Sequence, residues 1–341
     1  MGEYRQTDWA ERKKEFLDVV AQHKRHSAYD CIVPFSGGKD SASIAHRLKY
    51  QLGLNPLLVC YGQLIWTDVG RRNLHRVCES GFDVQYCRTN QQVSRSLARR
   101  FFVERGHPKQ HYDAAVNSVP VIAAIQADIP LIIFAEHGES FYGGHVLDSH
   151  SRRQRDLAEV LEHQVGDDAR NWAVDGISER DLYPYIYPAA DAVQRGGITA
   201  VYWSYFFDWS VSYNADYARK MMGFEGVSDE YGDRSDASYE NRDSIDDCID
   251  CLDYRAMKIK FGFGRTVRFA SRQIQEGILT REKGLELARK YDDEEPVRYR
   301  KQICEYLGMT WEEIDAVLDT HRNPEIWTKE SGKWEMRCHL A

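Results

Sequence analysis

The sequence predicts an α/β fold: a parallel sheet with helices on both faces, followed by a mostly helical, aromatic-rich C-terminal portion. Three observations carry this expectation. Short apolar runs alternate with segments of helical period across the first ~140 residues. The runs are continuously hydrophobic, as strands buried on both faces must be. A Gly-Gly loop joins the first run to the helix after it, the place where such sheets bind anions.

The elements follow in order. Residues 8–24 have helical period, with Asp8 at the cap, Glu11 three residues on, and Trp9, Phe16, Leu17 and Val20 on one face. The runs 31–35, 57–61, 84–87 and 131–135 read as strands, and 40–52, 69–80, 91–101 and 118–127 as the helices between them. Ligands in such a sheet sit beyond the carboxyl ends of the strands, so the loops after Phe35, Tyr61 and Ala135 are where chemistry is expected. Residues 142–250 are polar and dense in aromatics, Tyr202, Trp203, Phe206, Phe207 and Trp209 among them. They read as a subdomain, a lid, a homo-oligomer interface, or core aromatics of a second layer. The acidic, turn-rich stretch 229–247 reads as a surface loop. Residues 280–290, 296–307 and 310–321 read as three short helices, the last opened by a Thr310–Glu313 capping box.

Composition bounds the function. The chain has 341 residues, enough for roughly two domains. A net charge of −8 argues against nonspecific nucleic-acid binding as the main role. The longest apolar stretch, 129–135, is far short of the ~20 residues that cross a bilayer. The N-terminal stretch lacks the apolar core of a secretory signal, so a cytoplasmic protein without membrane association is expected. The eight cysteines then read as reduced thiols, and only Cys248 and Cys251 are spaced as a pair.

The strongest motif is Ser36-Gly37-Gly38-Lys39-Asp40-Ser41, directly after the first strand. Adjacent glycines let backbone N–H groups turn inward, and the next helix contributes its positive end. Lys39 adds charge, and Ser36 and Ser41 add hydroxyl donors, making an anion cradle. It is neither a Walker A loop nor a G-x-G-x-x-G fingerprint.

This SGGKDS loop resembles the PP-loop of the N-type ATP pyrophosphatases. YDCIVPFSGGKDS, GLNPLLVCYGQLIWTDVGRRNL, ADIPLIIFAEHGE, IKFGFGR and LTREKGLELARKYD together resemble the N-acetyl sugar amidotransferase branch, which serves surface-polysaccharide assembly. The similarity runs over roughly residues 28–325 and is thin across 142–245. It implies ATP and Mg2+ as cofactors, cleavage between the α and β phosphates, and adenylation of an amide oxygen. Ammonia from a separate glutaminase subunit, or from solution, then converts an acetamido group on a UDP-linked sugar to an amidine. Residue by residue it implies pyrophosphate binding by Ser36, Gly37, Gly38, Lys39, Asp40 and Ser41, and Mg2+ at Asp40 and Glu136. Tyr61 would lie beside adenine, or is a strand-end aromatic. His137 and Gly138 would meet phosphate, His137 also as a proton shuttle or else as a structural histidine. Lys258, Lys260 and Arg265, among Gly262 and Gly264, read as a basic element closing over the phosphates, or as a solvated helix face. Arg71, Arg72 and Asn73 orient substrate or cap a helix.

The expected plan is an N-terminal helix (1–27), the PP-loop domain (28–141), the aromatic-rich segment (142–250), the basic loop with C-terminal helices (251–325) and a tail (326–341). Two departures from the branch stand out. No cysteine zinc ribbon precedes Tyr29, and the segment 107–113 has histidines without cysteine. Cys248-Ile-Asp-Cys251 instead supplies half a zinc site with no second pair, a redox or persulfide pair, or two apolar fillers. The persulfide reading would make the enzyme a sulfurtransferase; a catalytically degenerate ATP- or AMP-binding partner protein is the further alternative.

Overall fold

The computed structural model describes residues 7–142, 153–155, 160–174 and 176–337. It divides into two compact units, one of residues 1–62, 71–89 and 112–224, the other of 63–70, 90–111 and 225–341.

The first unit holds a six-stranded sheet in the order β3-β2-β1-β4-β6-β5. Its strands are β1 (Cys31–Phe35), β2 (Pro56–Tyr61), β3 (Val84–Cys87), β4 (Leu131–Phe134), β5 (Gln154–Arg155) and β6 (Thr199–Tyr202). All neighbours are parallel except β5 on β6. The α/β expectation therefore holds. Every residue of β2 and β4 is buried, which is why these strands read as unbroken apolar runs. The chain winds from β1 outward to β3 and then returns to the other side of β1 with β4. The direction of winding thus reverses between β1 and β4, the switch point at which open α/β sheets bind ligands.

Helix α1 (Trp9–Gln22) begins where Asp8 accepts the N–H groups of Ala10 and Glu11 at 2.9 and 3.1 Å. It buries Phe16 and Val19, whereas Leu17, expected on that face, is 42% exposed. Phe16 meets Trp203, Phe206 and Phe207 at ring separations of 5.9, 5.4 and 5.2 Å. α2 (Lys39–Tyr50) follows β1, and α3 (Asp68–Glu79) precedes β3. α4 (Gln91–Arg105), which belongs to the second unit, and α5 (Gln110–Ala127) come next; α5 starts eight residues before the expected helix and carries Pro120 inside it. α6 (Gly138–Tyr142), α7 (Ala190–Gly196), α8 (Trp203–Phe206) and α9 (Val211–Met222) are further α-helices of the first unit. β6 is a sheet strand, and Tyr202, Trp203, Phe206 and Trp209 are buried. These four aromatics are thus core of the sheet unit, and the units do not follow the expected 142–250 boundary.

The second unit is mostly helical: α10 (Asp250–Phe261), α11 (Arg265–Gln275), α12 (Arg281–Tyr291), α13 (Arg300–Leu307) and α14 (Trp311–Thr320), then a hairpin of β7 (Trp327–Glu330) and β8 (Lys333–Met336). The Thr310–Glu313 capping box is present as expected. The acidic stretch 229–247 is not a free surface loop. Asp236 accepts the N–H groups of Val297 and Arg298 at 2.9 and 3.0 Å, and Asp247 those of Leu64 and Ile65 at 2.8 and 3.0 Å. These carboxylates replace the backbone partners that an irregular segment lacks.

Candidate functional site

The Ser36–Ser41 motif closes β1 and opens α2 at the sheet's switch point. Gly37 has φ 91°, a conformation that a side chain would disfavour by about 1–2 kcal/mol. Gly38 caps α2 in extended conformation and donates its N–H to Ser36 Oγ at 3.2 Å. Ser41 Oγ donates to the Gly38 carbonyl at 3.2 Å. Both serines thus brace the turn. The twelve-residue α2 points its positive end at the same loop.

Lys39 is 4% exposed and its Nζ donates to Asp40 Oδ2 at 2.9 Å. The other oxygen, Oδ1, accepts from Asn214 Nδ2 at 2.9 Å, and Asn214 Oδ1 accepts from Ser43 Oγ at 3.3 Å. Asn214 lies on α9 and is buried. No motif marks it in the run Val211-Ser-Tyr-Asn214. With one hydrogen bond on each oxygen and a side chain 23% exposed, Asp40 keeps lone pairs for a cation. The loop's donors suit phosphate oxygens, and the Asp40 carboxylate suits Mg2+.

Glu136, His137 and Gly138 follow β4 on the other side of the switch. His137 is buried; its N–H donates to Ser204 Oγ at 3.2 Å, and Nδ1 accepts the Ser140 N–H at 3.2 Å. Nδ1 also lies 2.9 Å from Ser140 Oγ, so the ring braces the first turn of α6. Its ring also stands edge-on to Tyr202 at 5.0 Å. Tyr61 ends β2, with its hydroxyl 3.0 Å from Thr89 Oγ1, which in turn lies 2.9 Å from the Tyr185 hydroxyl.

In the second unit the IKFGFGR segment is a helix-to-helix joint. Gly262, at φ 79°, ends α10. Lys258 Nζ bonds Asp292 at 2.9 Å and Asp293 at 3.1 Å. Burial alone would lower the Lys258 pKa, but the two carboxylates outweigh it and raise it. Asp292 also accepts the N–H groups of Gly264 and Val267 at 2.8 and 3.0 Å, capping α11. A Cβ on Gly264 would lie 2.9 Å from Asp292 Oδ1, so glycine is needed there. Arg265, 1% exposed, donates to the carbonyls of Asp243 and Ser244 at 2.6 and 2.7 Å. Lys260 Nζ donates to the Arg105 carbonyl at 2.8 Å. The three cations expected on a flexible element or a solvated face are thus tied into this unit.

Cys248 and Cys251 are buried, and burial, reinforced by neighbouring carboxylates, pushes both thiols up, Cys251 to about 12. Burial thus disfavours the thiolate, the reactive form, in both. Among the described residues no group of three or more His, Cys, Asp or Glu side chains is placed to hold a metal ion. Among them, too, no helix is long and apolar enough to cross a membrane.

Residues 237–340 match the family described as LPS biosynthesis protein WbpG-like, C-terminal domain. No curated protein sequence matches the chain. Among solved structures, a "predicted subunit of tRNA methyltransferase" from Methanocaldococcus jannaschii is similar at 14% identity. It covers 67% of this chain and 86% of that one at a TM-score of 0.32, too low to bear on the fold.

Proposed function

We propose that this chain is an ATP-dependent, AMP- and pyrophosphate-forming amidotransferase of surface-polysaccharide assembly, a reading that the similarity of residues 237–340 to the WbpG-like C-terminal domain supports. The observation that carries this reading is the serine-braced Gly37-Gly38 turn, set at the switch point on the N-terminus of α2.

In this reading the loop's N–H and hydroxyl groups hold the β and γ phosphates of ATP, and Lys39 shifts from Asp40 to the departing pyrophosphate. The amide oxygen of an acetamido group attacks the α phosphorus, and the bond to the β-phosphate oxygen breaks. Ammonia then adds to the activated carbon. AMP leaves with the former amide oxygen, and an amidine remains. Adenylation is needed because an amide oxygen is a poor leaving group. Asp40, with Glu136, would hold Mg2+, which neutralises phosphate charge when bound. His137 would contact phosphate or shuttle a proton there. A UDP-linked N-acetyl sugar is the proposed acceptor, and a separate glutaminase the proposed ammonia source.

Product analysis tests this. The protein is incubated with ATP, Mg2+, ammonia and a panel of UDP-linked N-acetyl sugars. AMP and pyrophosphate formed only with both sugar and ammonia support the reading. ADP and phosphate, or AMP formed without sugar dependence, refute it.

A further inference from the structure

Asn214 stands outside every motif in the sequence, yet it is the side chain that grips the loop's only carboxylate. Its amide is used at both ends: Nδ2 donates to Asp40 Oδ1 and Oδ1 accepts from Ser43 Oγ. Ser43 is itself fully buried on α2, one turn beyond Asp40. The Asp40 carboxylate only accepts, so the NH2 group is turned to it, and the Ser43 hydroxyl serves the amide oxygen at the other end. Asn214 is buried, and both ends of its amide are already bonded within the protein.

The two oxygens of Asp40 are therefore held differently. Oδ1 is held by a neutral, buried, immobile donor. Oδ2 is held by Lys39, whose charge an incoming polyphosphate competes for. When Lys39 turns to phosphate, Oδ2 is exposed to a cation while Oδ1 stays anchored.

Resting on the proposed function, we propose that Asn214 is a positioning residue that fixes Asp40 for the divalent cation accompanying a nucleoside triphosphate. It acts through Asp40 and contacts neither phosphate nor cation. Without it, the carboxylate is free to turn and no longer presents Oδ2 to the cation.

The test uses calorimetric ATP binding to the full chain, with Mg2+ and in EDTA, for wild type, Asn214→Ala and Ser43→Ala. Melting without nucleotide monitors the fold. The ratio of the two affinities isolates the cation's contribution. The expected result is a ratio reduced about tenfold in Asn214→Ala, the effect of one lost hydrogen bond to a charged group, with affinity in EDTA unchanged. Ser43→Ala, a milder change that removes the bond steadying the amide oxygen, gives a smaller loss in the same direction. Equal losses with and without Mg2+ would mean a purely structural role and would overturn the inference, as would a wild-type ratio in both folded variants. If wild type binds no ATP, the functional proposal itself fails. If wild type binds MgATP and the variants match it, only the inference about Asn214 fails.

Discussion

Replacing Asp292 by alanine removes three interactions at once: the Lys258 ion pair at 2.9 Å and the N–H bonds from Gly264 and Val267. Losing the cap of α11 costs about 1 kcal/mol. Leaving the ammonium without its buried partner costs about 3–5 kcal/mol when nothing replaces it. Here Asp293 remains at 3.1 Å, but its side chain is 73% exposed and such a partner contributes under about 1 kcal/mol. The expected loss is about 4 kcal/mol, concentrated in α11. Hydrogen exchange followed by mass spectrometry reads this locally. Amides of residues 265–275 should exchange roughly a thousandfold faster in Asp292→Ala, since about 1.4 kcal/mol is a factor of ten. Lys258→Met leaves Asp292 its two N–H donors and costs about half as much. The double variant should lose less than the sum of the singles, because removing the second partner abolishes the stranded charge. The raised Lys258 pKa gives the pH window: this stabilisation is full below about 10.5 and is lost as pH rises through the folded-state value. Wild-type protection of α11 in Asp292→Ala, or strict additivity of the two changes, would refute the assignment of Lys258 to this joint.

The remaining predictions are smaller in scope. Gly37→Ala forces a side chain onto φ 91° and should weaken ATP binding at least tenfold by calorimetry, while a tight-binding variant would mean the turn is not used. His111 is fully buried, and burial with nearby His107 and Lys109 lowers its pKa to about 3 from 6.5. Its contribution is therefore present above pH 6.5 and is lost as pH falls, up to about 5 kcal/mol by pH 3. His111→Gln should flatten acid denaturation followed by tryptophan fluorescence. Cys248 and Cys251 should resist a thiol reagent in the native protein at pH 7.5 and react promptly in urea; fast native labelling would reverse the reading of them as inert.

Strands and anion loop were legible because each follows from local chemistry. Four consecutive apolar residues such as Leu131–Phe134 leave little choice but a strand buried on both faces. A Gly-Gly turn with flanking serines carries its own geometry. The errors arose where a distant residue decides. Residues 229–247 look solvated until Val297, Arg298, Leu64 and Ile65 present N–H groups to Asp236 and Asp247. Lys258 looks mobile until Asp292, 34 positions on, captures it. β6 gave no strand signal, since Thr199–Tyr202 runs directly into the aromatic helix α8 and pairs with β4 some 68 positions earlier. Asn214 was invisible for the same reason: its partner is 174 residues away.

The functional reading draws on two sources that are independent in the chain. The loop at residues 36–41 argues for polyphosphate chemistry and is silent about the acceptor. The match over residues 237–340 argues for surface-polysaccharide synthesis and contains none of that loop. Either could hold without the other, which makes their disagreement measurable. If ATP turnover survives every change to the anion loop, the chemistry resides elsewhere, whatever the C-terminal domain implies. If loop variants abolish turnover but no sugar ever stimulates it, the loop has its phosphate and the acceptor must be sought in another class of amide. Only sugar-dependent AMP release that is lost on altering Lys39 or Asp40 ties the two halves of the reading to one reaction.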